Sequence, residues 1–302
     1  GEDGTIYGLP FRGHAQVLFY RKDVFEELGL EPPQTWEDVA AAAQTIREET
    51  DLNPIAMYYK VGAGQNLFIW LNMLWGSGGD IFDQNMCPVL NNDTGVNATQ
   101  QYVDYVRNNL TDQSALTYDE GGATEEFTKG RAAMFVGWSW IYENFTNPEI
   151  AAPEVPDNVG VVPAPTNGGD PVSYGYIWPV GILQSSQKQD AAWEYIKWLT
   201  HPEVEKAVVL DKSNPATSNI VAVHLSNLND PEVNTTSDGL HEVMATMLET
   251  ARTQPLIPEW LEVQTVLETA LNEAASGADV KATLDTAQQD VEAIMKRGGY
   301  CQ

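Results

Sequence analysis

The stretch Ile6-Tyr7-Gly8-Leu9-Pro10-Phe11-Arg12-Gly13-His14-Ala15-Gln16-Val17-Leu18-Phe19-Tyr20 decides the fold. Its ends, Ile6 to Pro10 and Val17 to Tyr20, are rich in apolar, β-branched and aromatic residues and read as extended structure. Pro10 cannot donate to a ladder, so a strand edge or strand end falls near it. Asp23 to Leu28 follows as a short helix, with Gly29 at its C-terminal end.

Working outward, Thr35-Trp36-Glu37-Asp38 is a capping box with Asp in place of Glu, preceded by Pro32-Pro33. Trp36, Val39, Ala40, Ala43 and Ile46 then recur at helical spacing. Ile55 to Tyr59 reads as a short strand. Leu67, Trp70, Leu71, Leu74 and Trp75 make the next helical stripe, ended by Gly76-Ser77-Gly78-Gly79. Asn97 to Leu110 is a further helix with Val103 and Val106 on its buried side. Phe127 closes a helix that passes through Gly130 into a strand over Ala132 to Val136. Val159 to Val162 is a strand stopped by Pro163 and Pro165, and Tyr176 to Leu183 is another. Ala192, Tyr195, Ile196 and Leu199 share a helix face, and Pro202 opens the next helix. Three apolar stripes, beginning at Leu240, Val263 and Val280, make the last third helical. Strands separated by helices give an α/β protein with a helical C-terminal third.

The chain has 302 residues, 43% of them hydrophobic, enough for one large or two ordinary cores. No run approaches the ~20 apolar residues needed to cross a bilayer, and Gly1 to Gly4 carry no secretory signal. There are 43 acidic and 16 basic residues, a formal net charge of −27. Such a surface repels nucleic acid and anionic lipid, which makes both poor partner candidates. The acids are dispersed among apolar periods, so they are not a disordered tail. An acidic surface with few Lys suits strong salt, where mutual repulsion is screened, and a salt-loving source is expected. Cys87 and Cys301 belong to no CxxC pair, which leaves a disulfide or two free thiols. Asn92, Asn97, Asn109, Asn144 and Asn234 each begin an N-x-Ser/Thr triplet, a weak sign of export.

Catalytic signatures are missing: the chain has no GxSxG, Walker or GxGxxG sequence. His14, His201, His224 and His241 lack metal-ligand spacing, so neither a metal nor a cofactor is expected. Carboxylate pairs abound, but in so acidic a chain a pair carries no information about glycoside hydrolysis. The nine Trp are more telling. Trp36, Trp70, Trp75, Trp193 and Trp198 lie within helical patterns and are expected in the interior. Trp138, Trp140 and Trp178 sit beside Gly or Pro where strands end. Flat rings there can stack on the C–H faces of a sugar while planar polar groups take its hydroxyls.

The segment Gly8-Leu9-Pro10 … Val17-Leu18-Phe19-Tyr20-Arg21-Lys22-Asp23-Val24-Phe25 resembles the "GLP…LxYxKDLF" of family 1 extracellular solute-binding proteins, the maltose/trehalose-binding group of ABC importers. Further resemblances follow in order. Gly29 to Asp38 is similar to "GL-PPxTWxE", Leu74 to Asp83 to "LWxxGGxxxD", and Phe127 to Met134 to "FxxGKAAM". Val159 to Pro165 is similar to "VGVxPxP", Ser186 to Trp193 to "SKNKEAAW", Asn214 to Thr217 to a later "xPA/T" turn, and Ala251 to Pro255 to "ARPRP". Each is short; their collinearity covers nearly the whole chain.

The resemblance implies a two-lobed, periplasmic-binding-protein-like α/β fold of type II, with the first lobe incomplete because roughly the family's first hundred residues have no counterpart. Residues 1–175 would be the main part of the second lobe, 176–230 the returning portion of the first, and 231–302 the helices completing the second. Ligand positions carried over are His14 with Arg12, where the family often has an acidic residue, then Gln65 and Asn66. Trp138 and Trp140 match the aromatic platform, Gly175, Tyr176 and Trp178 the lobe crossing, and Arg252 the "AR" that reaches the cleft in some members. The implied function is capture of a sugar or oligosaccharide, without chemistry, for delivery to an ABC permease. The implied location is extracellular, cell-surface or periplasmic, with an N-terminal anchor. Alternatives are a binder of glycerol phosphate or another polyol-like solute, a glycoside hydrolase, and a surface interaction protein without a small ligand.

Overall fold

The computed structural model describes residues 5–213 and 220–302, so the turn expected at residues 214–217 lies outside the described residues. Strand β1 (Leu9–Arg21) leads directly into α1 (Lys22–Leu28), which ends on Gly29 in the left-handed region, φ 66°. Helix α2 (Trp36–Glu49) opens on the expected box: Thr35 Oγ1 accepts the Asp38 N–H at 3.1 Å and the Asp38 carboxylate accepts the Thr35 N–H at 2.9 Å. Next come α3 (Gln65–Gly76), α4 (Asp93–Arg107), α5 (Glu120–Thr128), strand β2 (Met134–Trp138) and the short α6 (Tyr142–Thr146). Strands β3 (Val159–Pro163) and β4 (Gly175–Val180) are followed by α7 (Gln189–Leu199), α8 (Pro202–Leu210), α9 (Leu225–Leu228) and α10 (Pro231–Thr236). Helices α11 (Leu240–Thr250), α12 (Trp260–Ala275) and α13 (Val280–Arg297) finish the chain.

The sheet is built around β1, and every pairing is antiparallel. Its C-terminal half lies between β2, with Gln16 opposite Trp138 and Tyr20 opposite Met134, and β3, with Val17 opposite Pro163. Its N-terminal half pairs with β4, from Leu9 opposite Val180 to Ala15 opposite Gly175. One continuous strand therefore joins two ladders, and the exchange of partners falls between Ala15 and Gln16. At Pro10 to Arg12 the register with β4 shifts, where the missing proline N–H breaks the ladder.

The core under this sheet is unusually aromatic. Trp36, Trp70, Tyr58, Tyr59, Tyr102 and Tyr105 are fully buried, and their polar atoms mostly find partners. Tyr59 Oη donates to the Tyr102 carbonyl, Tyr102 Oη to the Tyr58 carbonyl, and Trp70 Nε1 to Thr99 Oγ1, each at 2.9 Å. Helix α12 packs against α3 and α4, and α13 against α12 and α4. The buried Glu268 of α12 accepts backbone N–H groups of Gly62 and Gly64, just ahead of α3, and so holds that helix start. Cys87 and Cys301 form a disulfide, Cα to Cα 4.7 Å, tying the C-terminal segment to the loop between α3 and α4.

Two expectations need correction. Ile55 to Tyr59 is not a ladder strand. It touches β2 through a single parallel bridge, Ala56 to Phe135, and then turns away so that the Tyr59 N–H reaches the Ala115 carbonyl. Its five residues are wholly buried, and burial made the run look like a strand. Trp193 and Trp198 of α7 are not interior: they are 44% and 56% exposed, beside an exposed Tyr195. Ile196 is the one buried residue of that helix. Periodicity tells which side chains share a face; it does not tell whether anything covers that face.

Candidate ligand cleft

Successive residues of a strand point to opposite sides, so Arg12 and His14 of β1 share one face. Across the ladder they stand opposite Trp178 and Tyr176 of β4. Two residues on, Gln16 stands opposite Trp138, the last residue of β2. The alternation thus carries Arg12, His14 and the buried Gln16, with three aromatic rings, onto one side of the sheet, at the place where β1 changes partners. Gly13, pointing the other way, is a glycine for a packing reason: a Cβ there would lie 2.9 Å from Val223 and 3.1 Å from Ile177.

Above this face is an open cleft of about 520 Å³, within the range of small-molecule sites. Arg12, His14, Trp138, Tyr176 and Trp178 line it, joined by Trp140 from the turn after β2, Phe68 from α3, Tyr174 and Gln254. The rings fall into two groups. Phe68 meets Trp138 edge-on at 5.2 Å and Tyr174 at 4.7 Å, and Tyr174 meets Trp138 edge-on at 5.7 Å. Tyr176 and Trp178 meet edge-on at 6.1 Å. The mutual packing of Phe68, Trp138 and Tyr174 holds those rings in place, so presenting them to a ligand costs little entropy.

The polar groups are few and distinct. Burial first, and then the Arg12 guanidinium, hold His14 down at about 4, so it is neutral at physiological pH. Its Nδ1 lies 3.5 Å from Ser139 Oγ. Arg12 pairs with no carboxylate among the described residues; its Cζ sits 5.5 Å from the Phe11 ring and its Nε is buried without a partner. Burial pushes the Tyr174 hydroxyl up to about 12, so it too is neutral and can donate. Neutral donors, one cation and a wall of rings can hold a hydroxylated ligand by stacking and hydrogen bonds.

The model of the bacterial extracellular solute-binding protein family matches residues 1–206. The chain belongs to that family. A probable amino-acid ABC transporter periplasmic-binding protein of Sinorhizobium fredii is 24% identical, over 99% of this chain and 66% of its own length. Among solved structures, an ABC transporter solute-binding protein of Agrobacterium vitis with bound D-mannitol is 25% identical, with a TM-score of 0.83, covering 99% of this chain and 75% of that one. Another, from Agrobacterium radiobacter in complex with ribitol, is 29% identical with a TM-score of 0.78, covering 96% and 72%. These neighbours carry the type II two-lobed fold expected from the sequence. The chain spans about two thirds of the length of the curated relatives it matches.

Of the positions carried over from the family resemblance, Arg12, His14, Trp138, Trp140, Tyr176 and Trp178 come together in the cleft. Four do not line it. Asn66 is sealed in the core, its amide donating to the Tyr59 and Glu268 carbonyls. The side chain of Gln65 accepts the Glu120 N–H at the start of α5. Gly175 is buried between strands, where a Cβ would meet that of Ala251 at 2.4 Å. Arg252 pairs with Asp80 and lies over Trp75, 4.7 Å from the ring, outside the cleft. The backbone of Arg252 has the structural part: it pairs beside Ser173 and Gly175 and so brings Gln254 to the cleft.

Phe68, Tyr174 and Gln254 were not expected at the site. Phe68 had a signal, since it falls off the buried stripe of α3 formed by Leu67, Trp70, Leu71 and Leu74. Tyr174 neighbours the strand pair Gly175-Tyr176. Gln254 lies in the Ala251-to-Pro255 segment that resembles "ARPRP", but it is the pairing of Arg252 with the segment ahead of β4 that delivers it.

Proposed function

We propose that this chain is the ligand-capturing component of an ABC importer, holding a sugar or polyol in a cleft between two lobes and presenting it to a membrane permease. The observation that carries the reading is the register of β1. It sets Arg12 opposite Trp178 and His14 opposite Tyr176, beside Trp138, in one cleft of about 520 Å³. A ring beneath a sugar supplies apolar contact, and each buried hydroxyl left without a partner would cost about 1–3 kcal/mol, so Arg12, His14 and Gln254 set selectivity. The bound polyols of the Agrobacterium structures agree with this chemistry.

In this reading residues 1–175 and 231–302 form the second lobe and 176–230 belong to the first. The exposed Trp193, Tyr195 and Trp198 of α7 support that division: they are more ring surface than one helix ordinarily offers to water, and they suit contact with the rest of the first lobe. Because β4 crosses that boundary and pairs with the N-terminal half of β1, a small change where β1 exchanges partners would close the cleft over its ligand. Membership of an extracellular solute-binding family supports a place outside the cytoplasmic membrane.

A glycoside hydrolase fits less well. It needs two carboxyl groups flanking the scissile bond, and among the described residues lining the cleft there is no Asp or Glu.

A thermal-shift screen of the full-length protein against sugars, polyols and their oligomers tests the reading. At a hundred times Kd a ligand adds about 2.7 kcal/mol, a rise of several degrees. No shift with any member of the panel, together with shortened products on incubation with oligosaccharides, would replace binding with hydrolysis.

A further inference from the structure

The charge of the cleft is opposite to that of the molecule. The chain carries 43 acidic residues and a net charge of −27, yet none of the acids lines the aromatic cleft among the described residues. The cation there is Arg12. Arginines elsewhere in the structure are paired: Arg21 with Asp23, Arg47 with Asp112, Arg131 with Glu126, Arg252 with Asp80 and Arg297 with Glu262, while Arg107 donates to backbone carbonyls of Ala274 and Ala278. Arg12 has neither kind of partner among the described residues, although it is half-buried and its Nε is fully so. In a chain with so many carboxylates available, a partly desolvated guanidinium left without one is an incomplete ion pair.

We propose that the missing partner comes with the ligand: the cleft selects a carbohydrate that carries a carboxylate, such as a uronate or aldonate unit, and Arg12 binds that group while the rings stack on the sugar. The inference rests on the sugar-binding reading above and narrows its substrate class. Guanidinium and carboxylate match as a planar, two-pronged pair, which a hydroxyl cannot reproduce. His14, the nearest titratable neighbour in the cleft, is neutral, so the site offers a single positive charge. One carboxylate neutralises it. A phosphate monoester, carrying about −1.5 to −2 near neutral pH, would be left with excess negative charge inside an already acidic molecule. Rejection of neutral analogues follows from the same pairing, since a neutral ligand leaves Arg12 buried without a counter-charge.

The test is calorimetric titration of full-length wild type, Arg12→Gln and Arg12→Lys with matched probes: D-glucuronate and D-galacturonate, D-gluconate, their neutral parents D-glucose, D-galactose and D-glucitol, and D-glucose 6-phosphate. The expected result is at least a tenfold preference for an acid over its neutral parent in wild type. That preference should vanish in Arg12→Gln and survive in part in Arg12→Lys, with ligand-free melting unchanged in both. It should also shrink as salt rises, because part of it is charge attraction. A neutral parent binding as tightly as its acid overturns the inference and leaves sugar capture intact. Preference for the phosphate over the carboxylates overturns it as well, in favour of a sugar phosphate. Failure of every probe, acidic and neutral, overturns this inference together with the reading beneath it.

Discussion

The side-chain carbonyl of Asn72, on α3, accepts the backbone N–H of Tyr174 at 2.7 Å, while its amide donates to Gln16 on β1 at 2.7 Å. The network continues from Gln16 Nε2 to the Tyr58 hydroxyl at 3.2 Å, and every member is buried. Asn72 therefore fixes, from inside the core, both the strand that carries His14 and the segment that carries the Tyr174 ring. Asn72→Ala would leave the Gln16 carbonyl and the Tyr174 N–H without partners, each costing about 1–3 kcal/mol. The expected outcome is an unfolding free energy, from urea titration, lowered by about 2–4 kcal/mol, together with weakened ligand binding. Unchanged stability would mean that water takes over the network.

Trp140 lines the cleft from the turn that follows β2, packed on the core at one side and open on the other. Trp140→Ala removes a stacking face without touching the ladder. We expect at least a tenfold loss of ligand affinity, about 1.4 kcal/mol, by titration calorimetry. Equal affinity in the variant would remove Trp140 from the site.

His14 is faced by Arg12 on its own strand, Tyr176 across the ladder and Ser139 from the turn after β2. Its folded value of about 4 lies below the 6.5 of an unperturbed imidazole. The neutral His14 thus contributes stability that is complete above pH 6.5 and is lost as pH falls toward 4. The difference in unfolding free energy between wild type and His14→Gln should shift by up to about 3 kcal/mol across that window. Titration of the His14 ring near 6.5 in the folded protein, followed by NMR, would contradict this.

Cys87 and Cys301 close a loop that spans most of the chain, their sequence separation being 214. Reduction, or Cys301→Ser, should lower stability by about 2–5 kcal/mol, largely through the freedom returned to the unfolded chain. Thiol titration of the unreduced, denatured protein is expected to find no free cysteine, and comparison of melting with and without reductant measures the effect.

The net charge of −27 makes self-repulsion a destabilising term that salt screens. Unfolding midpoints should therefore rise from low to molar salt. A flat response would remove the case for a salt-loving source.

Local chemistry was legible where the chain interacts with itself over a few residues. The Thr35–Asp38 box, the left-handed Gly29, the Pro202 helix start and the β1-to-α1 passage all rest on hydrogen bonds or dihedral limits internal to a short segment, and each could be read from residue order. The grouping of Trp138, Trp140 and Trp178 could be anticipated from their Gly and Pro neighbours and the family resemblance, and the structure brings all three to one cleft: Trp138 ends β2, Trp140 follows it, and Trp178 lies within β4 opposite Arg12. What the tertiary structure alone decided is which rows meet. Asn66 and Phe68 lie on the same helix, yet one is sealed against Glu268 and the other opens to the cleft. Arg12 and Arg252 are both cations near family motifs, yet Arg252 has Asp80, from a distant loop, and Arg12 has no such partner. The pairing of Cys87 with Cys301 and the exposure of Trp193 and Trp198 belong to the same class. Such facts depend on contacts between residues far apart in sequence, whose distances are set by the sheet register and helix packing and not by local order along the chain.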